Sequence, residues 1–282
     1  MTESTTPLLV VEDLRVAFPR RDGGMTEAVR GVSFTLGRER LGIVGESGSG
    51  KSQTGRAIMG LTAPEGRISA KRLEFSGVDL LNCPPAKRRA LRGGRIAMVL
   101  QDPKFSLNPV MTVGEQIAEA LVTHEKLARR DVEARILTML EAVRIDDPRR
   151  VAKLYPHEVS GGMGQRVMIA MMLIPEPELL IADEPTSALD VSVQAQVLDI
   201  IDDLVMRKGM GLILISHDLN LVSRYCDRIL VMNAGQVVEE CAAGQLDQAR
   251  HPYTRGLLAA MPTINESRDE LPVLDRSQWA GT

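Results

Sequence analysis

Apolar residues in the first part of the chain fall into short runs that predict strands. Residues 8–18 and 29–36 carry two such runs, and the polar turn at 20–24 joins them. The apolar runs at 41–44 and 95–100 predict two further strands. We therefore expect a hairpin followed by separate buried strands.

The apolar period becomes helical from residue 112 onward. Thr112 and Glu115 have the spacing of a capping box, which predicts a helix from this point through Leu121. A second helix is predicted from apolar residues that recur at helical spacing. They are Val132, Ile136, Leu137, Leu140 and Val143. Residues 106–172 are therefore predicted to form a helical insertion.

Strands and helices alternate again in the second half of the chain. Residues 179–182 and 211–216 predict buried strands, and the apolar spacing from 193 to 204 predicts a long helix between them. Strands that alternate with helices favour a mostly parallel sheet. Residues 241–282 are predicted to be a tail with small helices of its own.

Composition narrows the class of protein without identifying it. The 282 residues are 44% hydrophobic and 25% charged, with a net charge of −3, so no global excess of charge indicates nucleic acid or an anionic membrane surface. The three cysteines are far apart, which favours a reducing compartment and no cysteine metal site. We see no signal peptide and no apolar stretch long enough to span a bilayer, so a membrane role is expected to depend on a partner.

Residues 45–52 match the phosphate-binding pattern G-x-x-x-x-G-K-[ST], and this match is the most informative feature of the chain. Its glycines allow the backbone to curl so that successive amides face an anion, and a following helix adds its positive end. Lys51 is predicted to reach the β- and γ-phosphates, and Ser52 is predicted to bind Mg²⁺. The alternative is a flexible Gly/Ser linker, which would require neither the preceding strand nor the Lys-Ser pair.

Two acidic residues follow the apolar run at 179–182. Asp183 would stand at the carboxyl edge of the sheet and hold Mg²⁺, and Glu184 could accept a proton from an attacking water. The alternative is a strand that simply ends in a solvated turn.

Ser160, Gly161 and Gly162 begin another predicted helix. No Glu or Gln stands three residues after Ser160, so we expect the first amides of this helix to be open to a ligand phosphate. The alternative is an ordinary glycine-rich turn before a core helix.

Together these motifs resemble those of ATP-binding cassette (ABC) ATPases, over roughly residues 8–260. The motifs occur in the family's order along the chain. They are Walker A (45–52), the Q-loop Gln101, the signature (160–165), Walker B (179–183) with Glu184, the D-loop (187–190) and the switch residue His217. The resemblance implies an α/β fold, with a P-loop NTPase (RecA-like) core and a mostly parallel sheet. It also implies an antiparallel β subdomain and a helical ABC-specific subdomain at about 106–172. Residues 1–260 would form the nucleotide-binding domain, and 261–282 a C-terminal tail.

The resemblance also implies roles for individual residues. Glu184, His217 and Gln101 would be catalytic, and Gln101 would join Ser52 and Asp183 around Mg²⁺. Phe18 would stack on adenine, and the phosphate loop would hold the nucleotide. Two chains would pair head to tail, so that the signature of one acts on the ATP of the other. The loop residues implied are Gly45, Glu46, Ser47, Gly48, Ser49, Gly50, Lys51, Ser52 and Gln53. The signature and D-loop residues implied are Ser160, Gly161, Gly162, Met163, Gln165, Ser187 and Asp190.

Four further segments are similar to the ATPases of oligopeptide, dipeptide and nickel importers. They are residues 45–54, 101–103 with 106–116, 155–158 before the signature, and 251–254 in the tail. This branch implies ATP and Mg²⁺ as ligands and a second ATPase subunit carried by another chain. It also implies two permeases, an extracytoplasmic solute-binding protein and no nucleic acid. The chain would then lie at the cytoplasmic face of the plasma membrane as a peripheral subunit.

The chain departs from this branch in three places. Gly164 stands where the branch usually has Arg, which predicts a looser signature helix. Residues 38–40 read Arg-Glu-Arg in place of Gly-Glu, and no cysteine follows Cys241, so we expect no iron–sulfur cluster. Two alternatives remain: a soluble cassette ATPase of DNA repair or translation, and a partner that binds ATP without hydrolysing it. The first would usually carry a coiled coil or a duplicated cassette, and the second does not require Glu184 and His217.

Overall fold

The computed structural model describes residues 6–100, 107–187 and 189–260. Its strands are β1 (Leu9–Pro19), β2 (Met25–Leu36), β3 (Arg40–Val44), β4 (Arg67–Ser69), β5 (Arg72–Phe75), β6 (Val78–Asp79), β7 (Ile96–Val99), β8 (Leu179–Asp183), β9 (Gly211–Ser216), β10 (Arg228–Asn233) and β11 (Gln236–Ala242). Its α-helices are α1 (Lys51–Met59), α2 (Pro85–Leu91), α3 (Val113–Val122), α4 (Arg129–Ala142), α5 (Pro148–Val151), α6 (Gly161–Leu173), α7 (Val191–Lys208), α8 (Leu219–Tyr225) and α9 (Pro252–Ala259).

The strands form two sheets of different kinds. The first is antiparallel, in the order β2-β1-β5-β6, with β4 also paired to β1. The second has the order β11-β10-β3-β9-β8-β7, and it is parallel except for β11 at one edge. Strands β3, β8 and β9 therefore end at the same edge of this sheet, where ligands of open α/β folds bind.

Both faces of the parallel sheet are buried, which explains the continuous apolar runs in its sequence. Along β8, Leu179 and Ile181 pack with α1 and the antiparallel sheet, whereas Leu180 and Ala182 pack with helices α3 to α8. Successive side chains of a strand point to opposite faces, so one run supplies two hydrophobic cores. The sheet is thus held between an antiparallel layer and a helical layer.

Most strands and helices predicted from sequence are present, with small shifts at their ends. Helix α3 begins after Thr112 with the expected capping box: Thr112 N–H donates to Glu115 Oε2 at 2.8 Å, and Glu115 N–H donates to Thr112 Oγ1 at 3.3 Å. On α4, Leu137 is only half-buried and Met139 takes the buried position. Strands β4, β5, β6, β10 and β11 had no counterpart in the sequence prediction, and β11 runs into the segment predicted to be tail.

The unusual Arg-Glu-Arg segment at 38–40 forms an ion-pair network at the start of β3. Arg40 Nη1 donates to Asp202 Oδ1 at 2.7 Å, and its Nη2 donates to Asp227 Oδ1 at 2.6 Å. Hydrogen bonding to Arg40 holds the pKa of the Asp227 carboxyl below its usual value. Glu39 pairs with Arg228 at 2.8 Å. The network lies at the end of β3 opposite residues 45–50, so this departure does not alter the loop.

Candidate functional site

The phosphate loop, residues 45–50, connects the end of β3 to the start of α1. Its tip at Ser47 and Gly48 is exposed, whereas Ser49 is buried. Gly45 and Gly50 have φ values of 149° and 100°. A Cβ atom would lie 2.1 Å from the Met232 carbonyl oxygen at Gly45 and 2.4 Å from the Ala28 carbonyl oxygen at Gly50. Only glycine fits at these two positions, because the backbone approaches its neighbours so closely.

Lys51 lies inside the loop rather than in solvent. Its ammonium is buried and donates to the carbonyl oxygens of Gly45 at 2.7 Å and Glu46 at 2.8 Å. Burial lowers the pKa of this ammonium, and the negative charges of Glu184 and Asp183 oppose the shift. A buried cation held mainly by neutral carbonyls is well placed to take an anionic ligand.

Ser52 and Asp183 meet across the carboxyl edge of the sheet. Ser52 Oγ donates to Asp183 Oδ1 at 2.7 Å, and Asp183 is buried at the end of β8. Burial raises the pKa of the Asp183 carboxyl above its usual value, and the charge of Glu184 adds to the shift. A hydroxyl beside a buried carboxylate provides oxygen ligands of the kind Mg²⁺ prefers, so the residues present fit this ion.

Glu184 and His217 follow the ends of neighbouring strands β8 and β9. Nδ1 of His217 lies 3.4 Å from Oε1 of Glu184, and the side chains are 64% and 21% exposed. Glu184 has a φ of 47°, and its N–H donates to the Ile215 carbonyl at 2.9 Å. A non-glycine residue in this left-handed region is uncommon and marks a position worth testing for function. The pair is thus brought together at the same sheet edge as Asp183.

Two other residues predicted to bind the nucleotide lie on β1 and α1. Phe18 is half-buried near the end of β1, and a Cβ atom on Gly66 would lie 2.8 Å from its ring. Gln53 is on α1, and its Oε1 is buried without a hydrogen-bond partner among the described residues. Gln101 lies outside the described residues.

A separate cleft of about 450 Å³ opens at the start of two helices, α6 and α7. We call it the signature cleft. It is lined by Ser160, Gly161, Gly162, Met163, Arg166, Leu189, Asp190 and Val193. Ser160 caps α6 by accepting from Met163 N–H at 3.3 Å, and Asp190 caps α7 by accepting from Val193 N–H at 3.0 Å. The expectation that the first amides of α6 are all open is therefore wrong for Met163, while Gly161 and Gly162 precede the first intrahelical bond.

One residue of the signature and one of the D-loop donate hydrogen bonds to the backbone just after β8. Gln165 is buried, and its amide donates to the Pro185 carbonyl just after Walker B. Ser187 is half-buried, and its hydroxyl donates to the Glu184 carbonyl at 3.2 Å. Gln165 thus connects the signature region to the turn after β8, and Ser187 connects the D-loop to the same turn.

Sequence reasoning assigned no role in the site to Tyr253. Its hydroxyl accepts the N–H of Glu46 at 3.0 Å, although 207 residues separate the two. The only signal in the sequence was the His-Pro-Tyr-Thr segment at 251–254, noted as a likeness to importer ATPases.

Comparison with known proteins identifies the family. The family model described as ABC transporter matches residues 29–187. The chain belongs to the ABC transporter family. It is 48% identical to the oligopeptide transport ATP-binding protein OppD of Salmonella typhimurium over 94% of this chain and 79% of the relative. It is 44% identical to the dipeptide transport ATP-binding protein DppD of Bacillus subtilis over 95% of this chain and 81% of the relative.

Solved structures agree with the fold. CbiO1 of Clostridium perfringens, described as part of an ABC transporter complex, superposes with a TM-score of 0.73 at 26% identity, covering 86% of this chain and 92% of that one. The dimeric, post-hydrolysis structure of the ATP-binding cassette MJ0796 bound to ADP and Pi has a TM-score of 0.72 at 24% identity, covering 83% and 98%. The predicted P-loop α/β fold is confirmed, and this ABC protein is an ATPase subunit. Among the described residues, no helix has the length and apolarity needed to cross a bilayer.

Proposed function

We propose that this chain binds and hydrolyses ATP to energise the uptake of peptides or related small solutes through partner permeases. The likeness to relatives named for oligopeptide and dipeptide transport supports the substrate class. The mechanism is supported by the separation of two regions that would both contact the nucleotide. Among the described residues, the phosphate loop with buried Lys51 and nearby Asp183 forms one region. The open signature cleft forms the other, and none of its lining residues belongs to the loop.

Two cassettes would complete each other. The signature cleft of one subunit, with Ser160, Gly161 and Gly162 at the start of α6, would close over the triphosphate held by the phosphate loop of the other. The start of a helix favours anionic groups, because its amides and dipole present positive charge. Asp190 and Ser187 would carry the signal between the two sites, since Ser187 bonds to the backbone of Glu184 and Asp190 lines the cleft.

The loop would hold the nucleotide through its backbone amides and Lys51, with Phe18 against the adenine. Ser52 and Asp183 would hold Mg²⁺ together with Gln101. When bound, the ion would offset the negative charge of the phosphates. Lys51 would exchange its two carbonyl contacts for phosphate oxygens, a stronger charge-assisted interaction.

Hydrolysis would depend on Glu184 and His217. A water would attack the γ-phosphorus in line with the bond to ADP, and Glu184 would take the proton as this bond breaks. Both carboxylate and imidazole lie at the sheet edge where β8 and β9 end, with 3.4 Å between Glu184 Oε1 and His217 Nδ1. His217 would contact the γ-phosphate and keep Glu184 in position.

Residues 106–172 would form the helical subdomain that receives the permeases. With Gln101, this subdomain would relay the state of the nucleotide to the membrane partners. An extracytoplasmic binding protein would deliver the solute, and the chain would lie at the cytoplasmic face of the membrane as a peripheral subunit. The second ATPase is expected to be a different chain.

Glu184→Gln in the assembled transporter tests this function most simply. The variant should keep its ATP affinity and lose at least about 100-fold in turnover, because a general base typically contributes that much. Peptide uptake into proteoliposomes should fall in parallel. Glu74→Gln on β5 is the matched control, and it should keep both activities. Near-normal turnover in Glu184→Gln would show that Glu184 is not the general base. Peptide uptake that persists without ATP would contradict the coupling of uptake to ATP hydrolysis.

A further inference from the structure

The last described helix, α9, reaches back to the first peptide of the phosphate loop. Tyr253 is only 1% exposed, and its phenol oxygen accepts the backbone N–H of Glu46 at 3.0 Å. Glu46 is half-buried, and an amide shielded from water is costly to leave without a partner, so this contact matters for the conformation of the loop. The roles proposed above for residues of the site do not use this hydroxyl.

Tyr253 is itself fixed from the other side. Its N–H donates to His251 Nδ1 at 3.2 Å, and this bond caps the start of α9. The carboxylate of Glu239 on β11 accepts the N–H groups of Arg250 at 2.6 Å and His251 at 3.3 Å. The phenol is therefore held by the edge of the parallel sheet and does not rely on the loop for its position.

The peptide that receives Tyr253 also controls the resting place of Lys51. The carbonyl oxygens of Gly45 and Glu46 both accept from Lys51 Nζ. The carbonyl of Met232, near the end of β10, packs closely against Gly45. A Cβ atom on Gly45 would lie only 2.1 Å from this carbonyl oxygen. The first peptides of the loop are thus restrained by α9, by β10 and by the lysine that the proposed mechanism uses.

We propose that Tyr253 is a positioning residue of the nucleotide site: its hydroxyl fixes the Glu46 peptide, so that the amides after Glu46 form the phosphate cradle. This inference rests on the proposed nucleotide binding by the loop. The Glu46 N–H donates to the phenol, so this amide is already used within the chain. Without the hydroxyl, the loop would relax to satisfy this amide elsewhere, and binding would have to reverse that change.

The chain offers a matched pair of variants for the test. Tyr253→Phe removes the hydroxyl at the loop, and Tyr225→Phe removes another, which donates to Asp199 Oδ1 at 2.7 Å beneath α7. Both residues are buried. Affinity of the full chain for Mg-ATP is measured by calorimetry, with Lys51→Ala as reference. We expect Tyr253→Phe to weaken binding about 5- to 50-fold, because the half-buried Glu46 amide is left unpaired. Tyr225→Phe should stay within twofold.

Hydrogen exchange of the wild-type chain gives a reading that does not depend on any variant. The Glu46 amide should exchange much more slowly than the amide of exposed Gly48, and Tyr253→Phe should speed exchange across residues 45–50 while Tyr225→Phe should not. Rapid exchange at Glu46, unchanged ATP affinity in Tyr253→Phe, or an equal loss in Tyr225→Phe would overturn the inference. If Lys51→Ala also binds like the wild type, the loop itself is misassigned. If only Lys51→Ala loses affinity, the loop stands and the positioning role fails.

Discussion

The phosphate loop and the signature cleft both present helix starts to an anion, but they are built in different ways. At the loop, Lys51 and the adjacent Asp183 at the end of β8 are buried and already bonded to groups of the same chain. In the cleft, Ser160 and Asp190 are exposed, and the space between α6 and α7 is open. The loop is a preformed binding site whose charges are held out of water at a cost. The cleft is an open surface, and in the proposed function it contacts a phosphate only when a second subunit brings its bound nucleotide to it.

Among variants that compare the two regions, the largest change in stability is expected from removing the buried charge of Asp183 at the end of β8. Asp183→Asn keeps an acceptor for Ser52 and removes a desolvated carboxylate. We expect the ligand-free chain to become more stable by about 0.5–2 kcal/mol, which raises its unfolding temperature by about 2–6 °C, and ATP turnover to fall at least about 10-fold. Calorimetric unfolding and ATPase assays check the two parts.

The pH dependence of this gain follows from the raised pKa of Asp183. A carboxyl whose folded pKa is raised stabilises the fold at low pH, and this contribution is lost as the pH rises through the folded value. The difference between Asp183→Asn and wild type should therefore be largest at neutral pH and shrink as the pH falls toward 4. Asp190→Asn in the cleft is the control and should barely change the unfolding temperature. An equal rise in unfolding temperature in Asp183→Asn and Asp190→Asn would contradict the view that only the loop region holds a buried charge at a cost.

A smaller effect should come from the signature helix. Gly164 is buried, yet a Cβ atom there would have its nearest neighbour, Leu107 Cδ1, at 3.9 Å. Gly164→Ala should therefore stabilise the chain by up to about 1 kcal/mol, because glycine disfavours a helix interior. Gly162→Ala should gain less, since its Cβ would lie 3.1 Å from Val193 Cγ1. Thermal unfolding of the two variants checks this. A loss of stability in Gly164→Ala would show that the packing around α6 does not accept an added methyl group.

Sequence could predict the parts of the site that are local in the chain. Residues 45–52 carry their own strand, turn and helix signals, so the loop and its neighbours Lys51 and Ser52 were recognisable. The approach of Asp183 to Ser52 also followed, because parallel strands end at one edge. The capped start of α3 was predicted from Thr112 for the same local reason, and the start of α6 from Ser160, although the bond from Met163 to Ser160 was not expected.

The rest depends on contacts that no local pattern encodes. Tyr253 reaches Glu46 only after β10 and β11 have carried the chain back beside β3. Gln165 sits in the signature motif, but its burial against Pro185 is decided by packing between α6 and the end of β8. Arg88 is a further example: on α2 it is half-buried, and it donates to the Ala57 carbonyl at 3.4 Å across 31 residues of chain.

The central claim is that the signature cleft serves the nucleotide of another subunit, and Ser160→Arg tests it most directly. The substitution places a large side chain in the cleft, and Asp147→Ala, which removes the cap of α5, is the control for a lost helix cap. The isolated Ser160→Arg chain should bind ATP within twofold of wild type, while turnover of the assembled transporter falls at least about 10-fold and Asp147→Ala retains it. Loss of ATP affinity in the isolated Ser160→Arg chain, or normal turnover of the transporter that contains it, would contradict the account.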